Sequence, residues 1–365
     1  MKNFIHKTME ELNPTEGQTP IEQTPTPEEI TQEETCHREE TQDLQFTNRL
    51  DLSELQTNVQ QMKAEIGKVI VGQTDMVDML LASLLAKGHS LIEGVPGVAK
   101  TITAKLMAKS LSVGFSRIQF TPDLMPSDIL GTSVFNLKST EFEFKKGPIF
   151  SNMILIDEIN RAPAKTQAAL FEVMEEQQIT IDGNYYKLES PFMVLATQNP
   201  IEQEGTYRLP EAQLDRFLFK IDVGYPNLEE EIEILMREHH LQDRVKTDAI
   251  TPFLSADQIV KYQALVTQVL VEEHLLKYIA DLIVATRHNQ FLYLGASPRA
   301  SIAILKASKA FAAMSGRDFV TPEDIKRAAI PVLHHRVIVT PEREMEGITS
   351  TDVIKQIIEN VEIPR

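Results

Sequence analysis

The spacing of apolar residues along the chain separates predicted helices from predicted strands. Three- and four-residue steps predict a first helix from Asp51, with apolar positions Leu52, Leu55, Val59, Met62 and Ile66. A second helix is predicted from about Asp75 to Lys87. Short apolar runs predict strands at 90–92, 117–120, 153–156, 192–197 and 217–223. Helical spacing then dominates from about 227 to 334, so we predict an α/β domain followed by an all-α domain.

Two segments have the pattern of β-hairpins. Residues 141–150, EFEFKKGPIF, alternate apolar and polar positions. Residues 179–188 place two β-rich runs on either side of Asp182-Gly183-Asn184, which is a frequent hairpin turn sequence. Near the C-terminus, Thr321 and Asp324 are spaced as an N-terminal helix cap.

The stretch from 89 to 105, HSLIEGVPGVAKTITAK, has the order strand, glycine-rich turn and helix. This order is the context expected of a phosphate-binding loop. Gly94 and Gly97 allow close backbone approach to a phosphate, Pro96 stiffens the turn, and Lys100 adds charge at the start of the helix. Thr101 offers a hydroxyl to a magnesium ion. The alternative is a glycine-rich turn that carries an ordinary surface lysine.

One position departs from the usual phosphate-loop pattern. Ala99 stands where a glycine normally precedes the lysine. Because a methyl group disfavours the left-handed region, we expect a negative φ at Ala99.

Polar residues follow two of the predicted strands. Asp157 and Glu158 end the run 153–156, and Asn199 follows the run 192–197. Parallel strands in nucleotide-binding sheets present functional groups at their carboxyl ends. Asp157 is therefore predicted to order magnesium and its water shell, and Glu158 to polarise an attacking water. Asn199 can hold a water near the γ-phosphate or can simply begin a turn before Pro200.

Two other features leave alternatives open. The Val71-Gly72 turn, some twenty residues before the phosphate loop, can carry an adenine ring on its backbone or can be a plain turn between helices. Arg299 follows Ser297-Pro298 at a predicted helix start, where a cation opposes the helix dipole. It therefore needs an anion, either a carboxylate or a phosphate.

Composition and charge exclude several classes of protein. The net charge of −17 argues against a general nucleic-acid binder, and the single cysteine, Cys36, excludes an internal disulfide framework. We find neither an apolar run long enough to span a bilayer nor an N-terminal signal segment, and we expect a cytoplasmic protein without membrane insertion.

Residues 1–45 hold 11 acidic and 3 basic residues, a composition typical of a disordered, solubilising tail.

With these segments in order, the sequence resembles the AAA+ ATPases and, more narrowly, their MoxR group. GVPGVAKT (94–101) resembles that group's Walker A segment and LIDEINRAP (155–163) its Walker B segment. The other three matching segments are ATQNP (196–200) for sensor 1, LPEAQLDRF (209–217) for the arginine finger and GASPRA (295–300) for sensor 2. The resemblance implies an insert near 131–150 and a hairpin near 177–191. Arg208 departs from the family pattern and is a candidate second trans-acting arginine.

The resemblance also implies a role for each matching residue. It implies an ATP and Mg²⁺ site, with Lys100 and Thr101 on phosphate and magnesium, Asp157 on the metal water and Glu158 as the base. Asn199 matches the sensor, Arg216 the finger that reaches a neighbour's nucleotide, and Arg299 the lid arginine, which acts on its own subunit's nucleotide in some related groups and on the neighbour's in others. The predicted nucleotide-binding residues are Val71, Gly72, Gly94, Val95, Pro96, Gly97, Val98, Ala99, Lys100, Thr101 and Ile102.

At the level of the whole chain, the resemblance implies a parallel-sheet P-loop core followed by a helical lid. We predict an acidic tail at 1–47, the P-loop domain at 48–224, the lid at 225–335 and a C-terminal extension at 336–365. The family further implies a ring, commonly hexameric, that remodels or activates a client, often a metal-binding protein with a von Willebrand factor A domain. The alternatives are a nucleic-acid-remodelling motor and a chelatase-type motor subunit.

Overall fold

The structure is a computed structural model that describes residues 50–95, 97–138, 140–199, 207, 209–241 and 252–363. The predicted tail at 1–47, Pro96 and Arg208 lie outside these residues. The described residues belong to one compact unit. Within the described ranges, no helix combines the length and apolar character needed to cross a bilayer.

A five-stranded parallel sheet forms the centre of the molecule. Its strands are β1 (Ser90–Gly94), β2 (Phe115–Gln119), β5 (Met153–Asp157), β8 (Met193–Gln198) and β9 (Phe219–Val223). They lie in the order β2-β5-β8-β1-β9. Because all are parallel, their carboxyl ends meet at one edge, where Gln119 pairs with Asp157 and Glu93 with Gln198. The strands predicted from apolar runs are confirmed, with ends shifted by one or two residues.

Side chains alternate between the two faces of the sheet along each strand, so both faces are apolar and helices cover both. Ile92 and Leu155 point into one core cluster, whereas Leu91 and Ile156 point into the cluster on the opposite face. The first cluster is covered by helices α1 (Ser53–Gly67), α2 (Thr74–Leu85) and α3 (Lys100–Ser110). The second is covered by α5 (Ala164–Glu176).

Two hairpins project from the α/β part. The first joins β3 (Gly131–Asn136) to β4 (Glu141–Lys146) after the short helix α4 (Pro126–Leu130). The second joins β6 (Gln178–Ile181) to β7 (Asn184–Lys187). Both residues of its turn have positive φ, +51° at Asp182 and +79° at Gly183, as a tight two-residue hairpin requires. Residues 141–146, within the segment predicted to be part of a hairpin, form one strand of the first hairpin, and the hairpin predicted at 179–188 is confirmed.

The C-terminal part is helical. Its helices are α7 (Leu228–Leu241), α8 (Ala256–Gln268), α9 (Glu273–His288), α10 (Pro298–Met314), α11 (Pro322–Leu333), α12 (Pro341–Met345) and α13 (Ser350–Asn360). The short helix α6 (Glu211–Leu214) precedes β9 and belongs to the α/β part. The predicted cap at Thr321 and Asp324 begins α11. A short antiparallel pair, β10 (Leu292–Leu294) with β11 (Ile338–Val339), was not predicted. Helix α13 packs on α9 and α11, so residues beyond 336 contribute to the same core.

His89, directly before β1, is a buried neutral histidine. Its Nδ1 accepts a hydrogen bond from the Val194 N–H at 3.0 Å, and its Nε2 lies 3.2 Å from the Met174 carbonyl oxygen. Burial lowers the pKa of His89 from 6.5 to about 4. Since the unfolded chain binds this proton more readily, the stability from a neutral His89 is present above pH 6.5 and is lost as the pH falls towards 4.

We predict that the free energy of unfolding decreases by about 3 kcal/mol from this group as the pH drops from 6.5 to 4. Replacing His89 by Gln should remove this contribution and flatten the pH dependence, whatever it does to stability at neutral pH. Denaturant unfolding at a series of pH values measures the effect. His288→Gln, an exposed histidine on α9, is the matched control. If the free energy of unfolding of His89→Gln fell with decreasing pH as steeply as that of the unmodified chain, the prediction would be contradicted.

Candidate active site

The predicted phosphate loop lies between β1 and α3 at the carboxyl edge of the sheet. Val98 is buried, and the side chains of Val95 and Ile102 also pack against the core. A helix N-terminus that follows a glycine-rich turn presents backbone N–H groups to an anion, so this loop stays the predicted phosphate site. The Lys100 Nζ donates to the Gly94 carbonyl oxygen at 2.6 Å, so the lysine is folded back over the loop.

Ala99 does not have the negative φ that we expected. Its φ is +61° and its ψ is +16°, in the left-handed region. The expectation was wrong because the chain must reverse direction between Gly97, at φ +90°, and the first residue of α3. For a residue with a side chain this conformation costs roughly 1–2 kcal/mol, and the packing of Ala99 against the core offsets part of that cost.

Thr101 and Asp157, the predicted magnesium residues, lie side by side. The Thr101 Oγ1 is 3.5 Å from the Asp157 Oδ1, which also accepts a hydrogen bond from the Thr197 Oγ1 at 3.2 Å. Asp157 is buried, and its Oδ2 accepts from the Arg117 Nε at 2.6 Å. In the described part of the chain, no group of three or more His, Cys, Asp or Glu residues is placed to hold a metal. One hydroxyl and one carboxylate suit magnesium, which keeps several waters and binds phosphate oxygens.

Glu158 stands at the same edge in an uncommon backbone conformation. Its φ is +57°, and its N–H donates to the Thr197 Oγ1 at 3.1 Å. The Gln119 Nε2 donates to the Glu158 Oε2 at 2.8 Å, and the Arg161 Nε lies 3.0 Å from the same oxygen. Strained backbone of this kind is concentrated at functional sites. The carboxylate is therefore held in a defined position at the end of β5, open to solvent on one side.

For Asn199 and the turn at Gly72, the structure gives a position but no contact that defines a role. Asn199 follows β8 and is buried. Gly72, at φ +75°, turns the chain between α1 and α2, and the carboxylate of Glu230 from α7 lies against it. The turn is thus covered by the first helix of the C-terminal part, and its role in holding adenine stays a prediction.

Arg216 and Arg299 meet at a different place, on one shared carboxylate. The Glu175 Oε2 accepts a hydrogen bond from the Arg216 Nη1 at 3.1 Å, and the Glu175 Oε1 accepts from the Arg299 Nη2 at 2.9 Å. The Arg216 Nη1 also donates to the Phe171 carbonyl oxygen at 3.1 Å. From sequence alone, the expected partner of Arg216 in a single subunit is a nearby carboxylate, such as Asp215 or Glu211. That prediction was wrong, because Asp215 instead accepts from the Arg336 Nε at 2.7 Å.

The cleft that holds these two arginines lies at the amino edge of the sheet. Helix α5 starts beyond Glu158 and runs back against β5, so Glu175 near its end is at the opposite edge from Glu158. The cleft, of about 350 Å³, is also lined by His89 and Leu218, the residues immediately before β1 and β9. Five residues of β1 at about 3.3 Å each separate the two edges by about 15 Å. The structure therefore divides the predicted site residues into two groups on opposite edges.

Sequence reasoning did not identify several residues that contact the predicted site residues. Gln119 and Thr197 lie at or near the ends of β2 and β8, and that position was the available signal. Arg117 contacts Asp157 only because β2 neighbours β5. Glu175 and Arg336 have no local sequence signal, since each is far along the chain from its partners.

The fold and the phosphate-loop edge define a P-loop ATPase that has a helical lid. Residues 89–219 match the family model of the ATPase family associated with various cellular activities (AAA), and residues 284–357 match that of the AAA lid domain. The chain belongs to the MoxR family of AAA+ ATPases, because it is 44% identical to the chaperone MoxR1 over 82% of its length.

Two curated relatives and one solved structure are similar over most of the chain. The chaperone MoxR1 of Mycobacterium tuberculosis is 44% identical over 310 residues, which is 82% of this chain and 81% of that protein. YeaC of Bacillus subtilis, an uncharacterized protein, is 46% identical over 300 residues, 82% of this chain and 92% of that one. A crystal structure of a protein from Cytophaga hutchinsonii superposes with a TM-score of 0.79 at 43% identity, covering 86% of this chain and 97% of that chain.

Proposed function

We propose that this ATPase hydrolyses ATP with magnesium at the junctions of a homo-oligomeric ring, with six subunits as the expected number. The observation that carries the proposal is the division of the site between two edges of the sheet. The predicted phosphate loop and carboxylates occupy one edge, whereas Arg216 and Arg299 occupy the other. The distance of about 15 Å is longer than an arginine side chain, so neither arginine can serve its own subunit's phosphates. A neighbouring subunit in a ring brings the two groups together.

In such a junction, one subunit supplies the cradle and the groups that act on water. The loop backbone and Lys100 bind the phosphates, and Thr101 and Asp157 would hold magnesium. When bound, the metal neutralises charge on the phosphate oxygens. Glu158 orients the attacking water and accepts its proton, and Asn199 holds that water in line. The neighbour's Arg216 and Arg299 stabilise the charge that develops on the transferred phosphoryl group, because the guanidinium fork pairs two phosphate oxygens.

The output of the cycle that we propose is the remodelling or activation of a protein client in the cytoplasm. A chaperone role is supported by the similarity to the chaperone MoxR1. The two hairpins expose aromatic side chains suited to a protein surface: Phe135, Phe142 and Tyr185. By family resemblance, the client is a protein with a von Willebrand factor A domain. The net charge of −17 supports a protein client over nucleic acid.

A concentration series tests the shared site. We expect phosphate release that requires both ATP and magnesium, and turnover per subunit that rises steeply with protein concentration as rings assemble. Assembly is followed in parallel by sedimentation. Lys100→Ala should abolish ATP binding and turnover, whereas Lys105→Ala, an exposed lysine one turn along α3, should not. Equal turnover per subunit in the dilute monomer and in the ring would contradict a site built at the junction.

A further inference from the structure

Arg216 and Arg299 come from different parts of the chain and face the same cleft. Arg216 lies between α6 and β9 of the α/β part, and Arg299 lies at the start of α10 in the helical part. Two guanidinium groups so close repel each other, and the positive end of the α10 dipole adds to the repulsion at Arg299. The carboxylate of Glu175 lies between them and offers one oxygen to each.

We call the pair of contacts from Glu175 to Arg216 and Arg299 the Glu175 bridge. The bridge leaves most N–H groups of each guanidinium free for a phosphate. Glu175 engages one nitrogen of each guanidinium, Nη1 of Arg216 and Nη2 of Arg299. A guanidinium has five N–H donors. The Arg216 Nη1 also donates to the Phe171 carbonyl oxygen, and the other nitrogens of both arginines have no hydrogen bond to a described residue, so they can bind a second anion. The two side chains are 29% and 48% exposed, and a neighbouring molecule can reach them. A single phosphate group can therefore meet both arginines while the bridge stays intact.

The backbone on both sides of the bridge is fixed by a second, buried set of contacts. The Arg336 side chain is buried, and its Nη2 donates to the Phe217 carbonyl oxygen at 2.6 Å. Asp215, which pairs with Arg336, accepts a hydrogen bond from the Ser297 Oγ at 3.0 Å. These contacts hold the segments that carry Arg216 and Arg299 together. The freedom that is left is rotation of the two long side chains, and Glu175 restrains that rotation.

We propose that Glu175 is a positioning residue that holds Arg216 and Arg299 as one unit for delivery to the neighbour's nucleotide. This inference rests on the junction site proposed above. Ion pairs this exposed contribute little to folding. The effect of Glu175 should therefore appear in turnover, which depends on the placement of groups to within about 1 Å.

The test compares Glu175→Gln with Glu176→Gln, which removes the same charge from the next residue of α5. We expect Glu175→Gln to lower kcat about 10- to 100-fold, as misplacement of an acting group does. The KM for ATP should change less than about twofold, because the phosphate cradle belongs to the other subunit. Ring assembly and thermal melting should match those of Glu176→Gln. Glu175→Asp, which keeps the charge on a shorter side chain, should recover part of the rate.

Two further measurements separate this role from others. Mixing Glu175→Gln with Lys100→Ala subunits should restore activity, because the bridge acts in the subunit that donates the arginines. In an Arg299→Ala background, Glu175→Gln should cost much less than it does alone, since the bridge is already broken. Normal kcat in Glu175→Gln, loss of ring assembly, or lack of restoration in mixed rings would each overturn the positioning role. Normal kcat in both Arg216→Ala and Arg299→Ala would instead overturn the junction site itself.

Discussion

An Arg216→Ala protein is expected to bind ATP with near-normal affinity and to hydrolyse it about 10³- to 10⁵-fold more slowly than the unmodified chain. A trans-acting arginine contributes a factor of that size in related phosphoryl transfers. Among the described residues of a single subunit, the side chain pairs with Glu175 and the Phe171 carbonyl oxygen, and such a surface pair is worth roughly 0–1 kcal/mol. Stability and ATP binding should therefore change little while turnover collapses. Steady-state phosphate release measures turnover, and equilibrium ATP binding measures affinity. Both are measured at protein concentrations where the ring is assembled.

Mixed rings decide whether Arg216 acts in trans. Lys100→Ala subunits lack the cradle but keep the arginines, and Arg216→Ala subunits have the reverse defect. At some junctions of a mixed ring an intact arginine faces an intact cradle, so partial activity should return. Arg216→Lys is the matched control for charge, because it keeps the cation and loses the bidentate fork; we expect it to remain slow. If mixed rings form and the mixture never exceeds the sum of its parents, a trans role for Arg216 is excluded.

A Glu158→Gln protein should keep ATP binding and lose a factor on the order of 100 or more in turnover, because it lacks the base that takes a proton from water. The substitution preserves the shape of the side chain. Its amide oxygen can still accept the hydrogen bond that Gln119 now donates to Glu158, so the local structure should persist. Single-turnover hydrolysis at saturating ATP isolates this step from assembly and product release.

Glu172→Gln, an exposed carboxylate on α5, is the control for loss of charge and should hydrolyse ATP at the normal rate. Asp157→Asn should differ from Glu158→Gln, because loss of a magnesium ligand weakens metal binding and raises the magnesium concentration that activity requires. Since Glu158→Gln rings should stay loaded with ATP, affinity purification with this variant is also the direct way to capture the client. A normal single-turnover rate would assign water activation to another carboxylate.

The sequence by itself determined most of the elements and predicted one half of the site. Continuous apolar runs specify β5 and β8, because strands buried on both faces are apolar until their last one or two residues reach the edge of the sheet. The turn residues Asp182 and Gly183 specify the second hairpin, since both accept positive φ. The phosphate loop and the pair Asp157-Glu158 are local signals as well. Each is a short segment whose neighbours in sequence, a strand and a helix, also set its orientation.

The tertiary structure alone decided which residues meet. Glu175 is 41 residues from Arg216 and 124 from Arg299, and nothing in the spacing of these residues predicts a shared carboxylate. The separation of the two arginines from the phosphate loop depends on the direction of α5 and on the strand order β2-β5-β8-β1-β9. Strand order is set by how two hydrophobic faces are covered at once, which is a property of the packed molecule. The positive φ of Ala99 likewise comes from closing the loop between two packed elements, against the local preference of alanine.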